Sequence, residues 1–298
     1  MSIALVITDR NTDSLVQCLN RIQPDLNIQV WPNIENPETV TFAVLWQQPK
    51  GILKTFPNLK AVTSMGAGVD LIQNDPDLPK NIPVHRIVTN DLKQQMAQYV
   101  LSYILSDFRQ VEQYKLQQKS LTWQIHDLPV QTTIGFLGLG KIGEFVAKQC
   151  HQFGFHVLAY TQQSKHPTIP CFHAEEGLKQ VMQNCDYLVC LLPLNKMTKR
   201  IFNSQRFAYC QKKPLLIQAG RGQQLVEENL LHALDTGLIK HAVLDVFETE
   251  PLPKDHKFWQ RKDITITPHN AARSDVEQTA IKIIDSLSHY EIMPKIAP

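Results

Sequence analysis

No stretch of the 298-residue chain approaches 18 consecutive apolar residues, so the sequence predicts no membrane-spanning helix. The six cysteines (Cys18, Cys150, Cys171, Cys185, Cys190 and Cys210) include no C-x-x-C, and the eleven histidines show no H-E-x-x-H or paired spacing. No metal site is expected from them, and the cysteines read as reduced core thiols of a cytoplasmic protein. Neither sign of charge dominates: 30 Lys and Arg stand against 28 Asp and Glu, for a net +2, and the basic residues are scattered. That balance argues against a nucleic-acid partner or an acidic membrane surface. The N-terminal MSIALVITDRNTDS has no basic n-region and no small-residue cleavage site; it reads as a first β-strand and not as a signal peptide. Internal repeats and low-complexity tracts are missing too.

What is present is a composition that builds a core, 43% hydrophobic and 19% charged, in a length that suits one large domain or two ordinary ones. Strand-like and helix-like segments alternate throughout, which predicts parallel α/β architecture. In the first hundred residues, strands are expected at 3–8, 28–31, 42–46, 61–64 and 84–87, with a helix at 15–22. Asn90-Asp91 can cap a long helix in which Met96, Val100, Ile104, Phe108 and Val111 recur at helical spacing, up to about residue 118. Six further strands (133–137, 156–160, 187–191, 214–218, 241–245 and 264–267) make a full Rossmann-type unit, and a last helix spans 274–290. The expected organisation is two Rossmann-like domains. A doubly wound, parallel-sheet dinucleotide domain (96–273) is inserted into a smaller flavodoxin-like substrate domain (1–95 plus 274–298).

The stretch that limits function most is 132–143, TTIGFLGLGKIG: a β-branched apolar run, a glycine turn, then an amphipathic run. Gly138 permits the tight turn, Gly140 lets backbone approach a pyrophosphate, and Gly143 lets the helix pack closely on the strand. The helix start at Lys141 and Ile142 offers unpaired N–H groups and a positive dipole end to phosphates. Glycine turns are common, and the strand-turn-helix setting is what raises this one above an ordinary βα turn.

Three later segments carry polar residues at strand ends. Residues 215–222, LLIQAGRG, end in a glycine turn bearing Arg221, whose planar fork suits a carboxylate or an α-keto acid. Residues 243–253, VLDVFETEPLP, deliver Asp245 and then Glu250 before a proline. Residues 264–272, ITITPHNAA, end a strand at Pro268 and present His269. Taken singly these are a surface arginine, a solvated acid and a structural histidine. At the ends of successive strands of one sheet they suit keto-acid reduction. His269 then gives a proton to the carbonyl oxygen, Glu250 orients the imidazole and stabilises its cation, and Arg221 holds and polarises the substrate.

In these motifs the chain resembles the D-isomer-specific 2-hydroxyacid dehydrogenases, and within them the bacterial A-type glyoxylate/hydroxypyruvate reductases. The likeness runs over nearly the whole chain. It rests on Trp46 in VLWQQP, the SMGAGVD segment 64–70, QQMAQY at 94–99, the glycine turn, Leu192-Pro193, AGRG at 219–222, residues 244–253 and Thr267-Pro268-His269. The resemblance implies further roles. The Gly66-Ala67 loop offers N–H groups to the substrate carboxylate; Met65 beside it departs from relatives, which often carry a smaller or aromatic residue there, and is expected to tune the pocket. Trp46 lies near the substrate, although it serves equally as strand-end core. Asp245 binds the nicotinamide carboxamide, Leu192-Pro193 borders the adenine, and Ala219 and Gly220 join the cofactor contacts. The long helix is a homodimer element.

One departure bears on the cofactor. NAD enzymes place an acid about 20 residues beyond the first glycine to accept from the ribose 2′-OH. Here the strand runs out in Tyr160-Thr161-Gln162-Gln163-Ser164-Lys165-His166, with no acid. The missing carboxylate repulsion, with Lys165 and the hydroxyls of Thr161 and Ser164, favours the 2′-phosphate of NADP, but Gln162 and Ser164 stand where NADP-preferring relatives carry arginines, so NADP preference over NAD is expected to be modest. The expected protein is an NAD(P)H-dependent reductase of small 2-keto acids to 2-hydroxy acids. The alternative is a cofactor-sensing, corepressor-like binding protein on the same fold.

Overall fold

The computed structural model describes residues 1–8, 10–162 and 166–290. The chain divides into two compact units, Met1–Leu92 with the return segment from Ser274, and Lys93–Arg273.

The first unit opens with β1 (Ser2–Ile7), α1 (Asp13–Ile22), β2 (Ile28–Val30), β3 (Val40–Trp46), β4 (Ala61–Ser64), α2 (Asp70–Gln73) and β5 (Val84–His85). All five strands are parallel, in the order β2-β1-β3-β4-β5. Every residue of β1 and all but the last of β3 are buried. Strands that are apolar on both faces are what a parallel sheet covered by helices requires. One face is closed by α1, through Leu15 and Leu19, and by the returning helix Val276–Ser288, through Ile283 and Leu287, both packed with Phe42 and Val44. The strand order reverses between β1 and β3, so the carboxyl ends of β1, β3 and β4 are where this unit can receive a ligand.

The second unit begins with α3 (Asn90–Phe108), which leads in from the first, and α4 (Val111–Lys119). It continues with β6 (Thr133–Leu137), α5 (Lys141–Gln152), β7 (His156–Tyr160), β8 (Cys171–Phe172), α6 (Ala174–Asn184), β9 (Tyr187–Cys190) and α7 (Ser204–Phe207). Last come β10 (Leu215–Gln218), α8 (Glu227–Asp235), β11 (His241–Leu244) and β12 (Ile264–Ile266). The sheet has seven parallel strands in the order β12-β11-β10-β9-β6-β7-β8, doubly wound about a switch point between β6 and β9. On one face Met96, Val100 and Ile104 of α3 and Val146 and Cys150 of α5 pack with Phe136 and Val189; on the other Val181, Phe202, Phe207 and Leu230 pack with Leu188 and Leu216. Burying each of these large side chains stabilises the unit by roughly 1.5–3 kcal/mol.

Two features depart from the pattern read in the sequence. The sheet gains β8, which pairs with Ala159 and Tyr160 beside β7. The long helix is broken: Gln110 takes φ +55°, and α4 starts after it. Arg109 and Gln110 close α3 by donating to Leu105 and Asp107 carbonyls. No glycine or proline stands at this break, and the apolar spacing runs through it.

Candidate functional site

Because β6 and β9 adjoin in the sheet but not in the chain, the loops that follow them meet at the carboxyl edge. Gly138 leaves β6 with φ +101°, and a Cβ there would sit 3.0 Å from the Leu191 carbonyl and the Leu192 nitrogen. A Cβ on Gly143 would lie 2.2 Å from the Gly138 oxygen, so α5 can start this close to β6 only through glycine. At Gly140 an added Cβ would meet nothing within 4 Å. The first bond of α5 runs from Glu144 N–H to the Gly140 oxygen, which leaves the N–H groups of Lys141, Ile142 and Gly143 without an intrahelical acceptor. The turn is therefore open on the side where a phosphate would be held. At the end of β7, Thr161 is buried with its N–H on the Phe172 carbonyl, and Gln162 is exposed, its Nε2 3.4 Å from Met197 Sδ. Ser164 and Lys165 lie outside the described residues.

Arg221, Glu250 and His269 follow β10, β11 and β12, three adjacent strands, so all three leave the same edge of one sheet. His269 Nδ1 and Glu250 Oε2 are 2.8 Å apart, and Glu250 Oε1 accepts the Phe247 N–H at 2.9 Å. With Nδ1 engaged, Nε2 is the nitrogen left for other chemistry. The two side chains are 42% and 35% exposed, open enough for a small ligand to reach. Burial pushes the Glu250 carboxyl up, but the His269 and Phe247 hydrogen bonds and the charges of His269 and Arg221 outweigh it and hold Glu250 below its ordinary value. Glu250 is thus a carboxylate at neutral pH and keeps its acceptor for His269 Nδ1 until pH falls through that lowered value. Arg221 is half-buried and donates from Nη1 to the Gly220 carbonyl at 2.8 Å.

Asp245 is buried and turned toward the segment that carries His269. Its Oδ1 accepts from Thr267 Oγ1 at 2.6 Å, Asn270 N–H at 2.8 Å and Ala271 N–H at 3.1 Å, and its Oδ2 accepts from Ala271 N–H at 3.0 Å. Burial raises this carboxyl above its ordinary value against the pull of those bonds. Oδ1 is saturated, while Oδ2 keeps acceptor capacity for one more donor, such as a carboxamide. His269 sits at φ +49°, a left-handed conformation rare outside glycine, with its N–H on the Asp245 and Thr267 carbonyl oxygens.

Two residues not singled out in the sequence assemble the neighbouring loops. Gln224 is fully buried: its Nε2 donates to the Leu192 and Pro193 carbonyls at 3.0 and 3.2 Å, and its Oε1 accepts the Arg221 N–H at 2.9 Å. Gln218 donates from Nε2 to the Arg221 carbonyl at 3.0 Å and to Gln224 Oε1 at 3.3 Å. The pair ties the turn holding Ala219, Gly220 and Arg221 to the turn holding Leu192 and Pro193. A polar residue closing the apolar run LLIQ was the one sign of it.

In the first unit, Trp46 ends β3 and Met65 follows β4; both are half-buried against that unit's core. A Cβ on Gly66 would lie 3.0 Å from the Trp46 ring, and the Arg10 guanidinium is 4.9 Å from its centroid. The Gly66 N–H donates to Ser64 Oγ at 3.2 Å, so of the two expected anion donors Ala67 is the one whose N–H has no protein acceptor among the described residues. Also among the described residues, no group of three or more His, Cys, Asp and Glu could hold a metal ion, and no helix is long and apolar enough to cross a membrane.

Residues 101–271 match the profile of the D-isomer specific 2-hydroxyacid dehydrogenase NAD binding domain. The chain is 35% identical to the glyoxylate/hydroxypyruvate reductase A of Serratia proteamaculans, over 92% of this chain and 91% of that one. Among solved structures, a D-isomer specific 2-hydroxyacid dehydrogenase from Xanthobacter autotrophicus in complex with NADPH and MES superimposes with a TM-score of 0.90 at 29% identity, covering 98% of this chain and 95% of that one. The NADPH-dependent glyoxylate/hydroxypyruvate reductase of Sinorhizobium meliloti, in complex with NADP and sulfate, gives 0.88 at 30% identity, covering 98% and 96%.

Proposed function

The chain belongs to the D-isomer specific 2-hydroxyacid dehydrogenase family, and we propose that within it the protein reduces small 2-keto acids such as glyoxylate and hydroxypyruvate, with NADPH preferred over NADH. The observation that carries this reading is the 2.8 Å pair of His269 and Glu250 on the same sheet edge as Arg221 and the open glycine turn. Bound nicotinamide supplies a hydride to the carbonyl carbon. His269, with Nδ1 held by Glu250, gives the proton from Nε2 to the carbonyl oxygen, and Glu250 balances the charge of the imidazolium. Arg221 binds the acid's carboxylate and polarises its carbonyl. In the first unit, the family resemblance assigns Gly66, Ala67, Trp46 and Met65 to the substrate, and of the two loop residues Ala67 is the one whose N–H has no acceptor among the described residues.

The N–H groups of Lys141, Ile142 and Gly143 fit a pyrophosphate, Asp245 Oδ2 fits the carboxamide, and Leu192, Pro193, Ala219 and Gly220 line the rest of the cofactor's path. The missing acid after β7 removes the repulsion a 2′-phosphate would meet. Two of the similar structures hold NADPH or NADP. Purified protein with NADPH and a panel of glyoxylate, hydroxypyruvate and longer 2-keto acids is expected to lose reduced-nicotinamide absorbance. A kcat/KM favouring NADH by more than about tenfold, roughly 1.4 kcal/mol in transition-state binding, rejects the NADPH preference. Cofactor binding with no turnover across the panel favours the cofactor-sensing reading, which gains no support from the reductases this chain resembles.

We further propose a cytoplasmic homodimer. The six cysteines are free thiols, four of them buried, as suits a reducing compartment. After α4 the chain exposes Leu121 (94%), Trp123 (97%), Ile125 (83%) and Val130 (99%) within ten residues. A patch this apolar is a partner surface, and a second copy is the partner the family resemblance supplies. Light scattering is expected to give a dimer for the native chain and a monomer for the Leu121→Asp/Trp123→Asp double variant. A native monomer, or an unchanged mass in the variant, removes this arm from assembly.

A further inference from the structure

We propose that α3 clamps the turn bearing His269 in its proton-donating geometry, with Tyr99 and Gln95 as positioning residues. The inference rests on His269 as the proton donor and adds residues that touch neither substrate nor cofactor. Gln95 and Tyr99 are four apart and share one face of α3. Tyr99 Oη and Thr267 Oγ1 are 2.7 Å apart, and the Thr267 hydroxyl is committed as donor to Asp245 Oδ1 at 2.6 Å. Tyr99 is therefore the donor, and the bonds run in one direction, from Tyr99 to Thr267 to Asp245. Beyond His269, Gln95 Nε2 donates to the Arg273 carbonyl at 3.0 Å and Gln95 Oε1 accepts the Arg273 N–H at 2.9 Å.

Between these two anchors run residues 268–272, with His269 at φ +49°. A non-glycine residue in such a conformation is strained and persists only where its surroundings over-determine it. Asp245 grips that stretch from below through the Asn270 and Ala271 N–H groups, and the hydroxyl of Thr267 aims the Asp245 carboxylate. Burial pushes the Tyr99 phenol far above its ordinary value, so it remains a donor throughout the working pH range. The charged and titratable groups around this point are Asp245, His269, Tyr99 and Tyr103, with Glu250 and Arg221 beyond the imidazole.

Tyr99→Phe removes one hydroxyl and keeps the ring on Tyr103, its edge-on neighbour at 5.0 Å between centroids. In that variant kcat for glyoxylate with NADPH is expected to fall about tenfold, since small misplacements of an acid–base group are expensive in rate. The KM for glyoxylate stays unchanged, because Arg221 is untouched, and the Kd for NADPH changes less than kcat, because the glycine turn still holds the phosphates while Asp245 is only loosened. Amide hydrogen exchange accelerates in the peptide spanning 267–273 and not elsewhere. Thr267→Val reproduces the loss of kcat and Thr267→Ser, which keeps the hydroxyl, restores it. A Tyr99→Phe variant with native kcat and native protection of 267–273 overturns the clamp, as does a Thr267→Ser variant no better than Thr267→Val. If the native chain turns over no keto acid, the proposed function fails, and the exchange measurement alone then decides the clamp.

Discussion

Replacing His269 with alanine is expected to lower kcat for the proposed keto-acid reduction by about 10²–10⁴ while NADPH still binds. The drop is expected to be large because, of the three side chains proposed to act, only the imidazole can hand a proton to a developing alkoxide. Glu250 is ionised, Arg221 does not release its proton, and Asp245 is occupied by the 267–271 turn. NADPH binding survives because the glycine turn and α5 lie on other strands of the sheet. Steady-state kinetics with a fluorescence titration of NADPH separate the two effects. An unaltered kcat removes His269 from the mechanism.

Arg221→Ala is expected to reduce kcat/KM for 2-keto acids by roughly 30- to 5,000-fold, the equivalent of about 2–5 kcal/mol for a hydrogen-bonded charge pair that loses one partner. The side chain is half-buried, held by its own loop through the Gly220 carbonyl, and close enough to Glu250 to lower that carboxyl. Its removal leaves the acid's carboxylate without its fork-shaped partner and the carbonyl without polarisation. Guanidine added to the assay is expected to recover part of the activity. If the variant weakens NADPH affinity and spares keto-acid kinetics, Arg221 belongs to the cofactor and not to the substrate.

Much of this was legible before any coordinates. Continuous apolar runs such as IALVI, YLVC and LLIQ announce strands covered on both faces, and their spacing with helical segments gives a doubly wound sheet. The glycine turn was legible because each glycine meets a distinct steric demand, seen in the contacts a Cβ would make at Gly138 and Gly143. Arg221, Glu250 and His269 were legible as a group because each follows an apolar strand, and parallel strands deliver such residues to one edge.

What escaped the sequence did so for identifiable reasons. β8 is two residues long, too short to set up a period. The break at Gln110 carries neither glycine nor proline, and the apolar positions of α3 and α4 stay in phase across it. Gln224, Tyr99 and Gln95 act through side-chain bonds to residues distant in sequence, so QQMAQY marked the segment but not these roles, and Gln218 showed only as a polar residue closing LLIQ. The bond from the Gly66 N–H to Ser64 Oγ, two residues earlier, is a local turn that the motif alone does not reveal.

The central claim is that a guanidinium and a carboxylate-held imidazole act on one small acid beside a cofactor held by the glycine turn. A crystal structure of the protein with NADP and oxamate, a keto-acid mimic that is not reduced, tests it most directly. The expected complex has His269 Nε2 within hydrogen-bond reach of the oxamate carbonyl oxygen, Nδ1 still on Glu250, and the Arg221 fork on the oxamate carboxylate. Oxamate bound away from these side chains, or His269 turned from it with the Glu250 bond broken, would contradict the proposal.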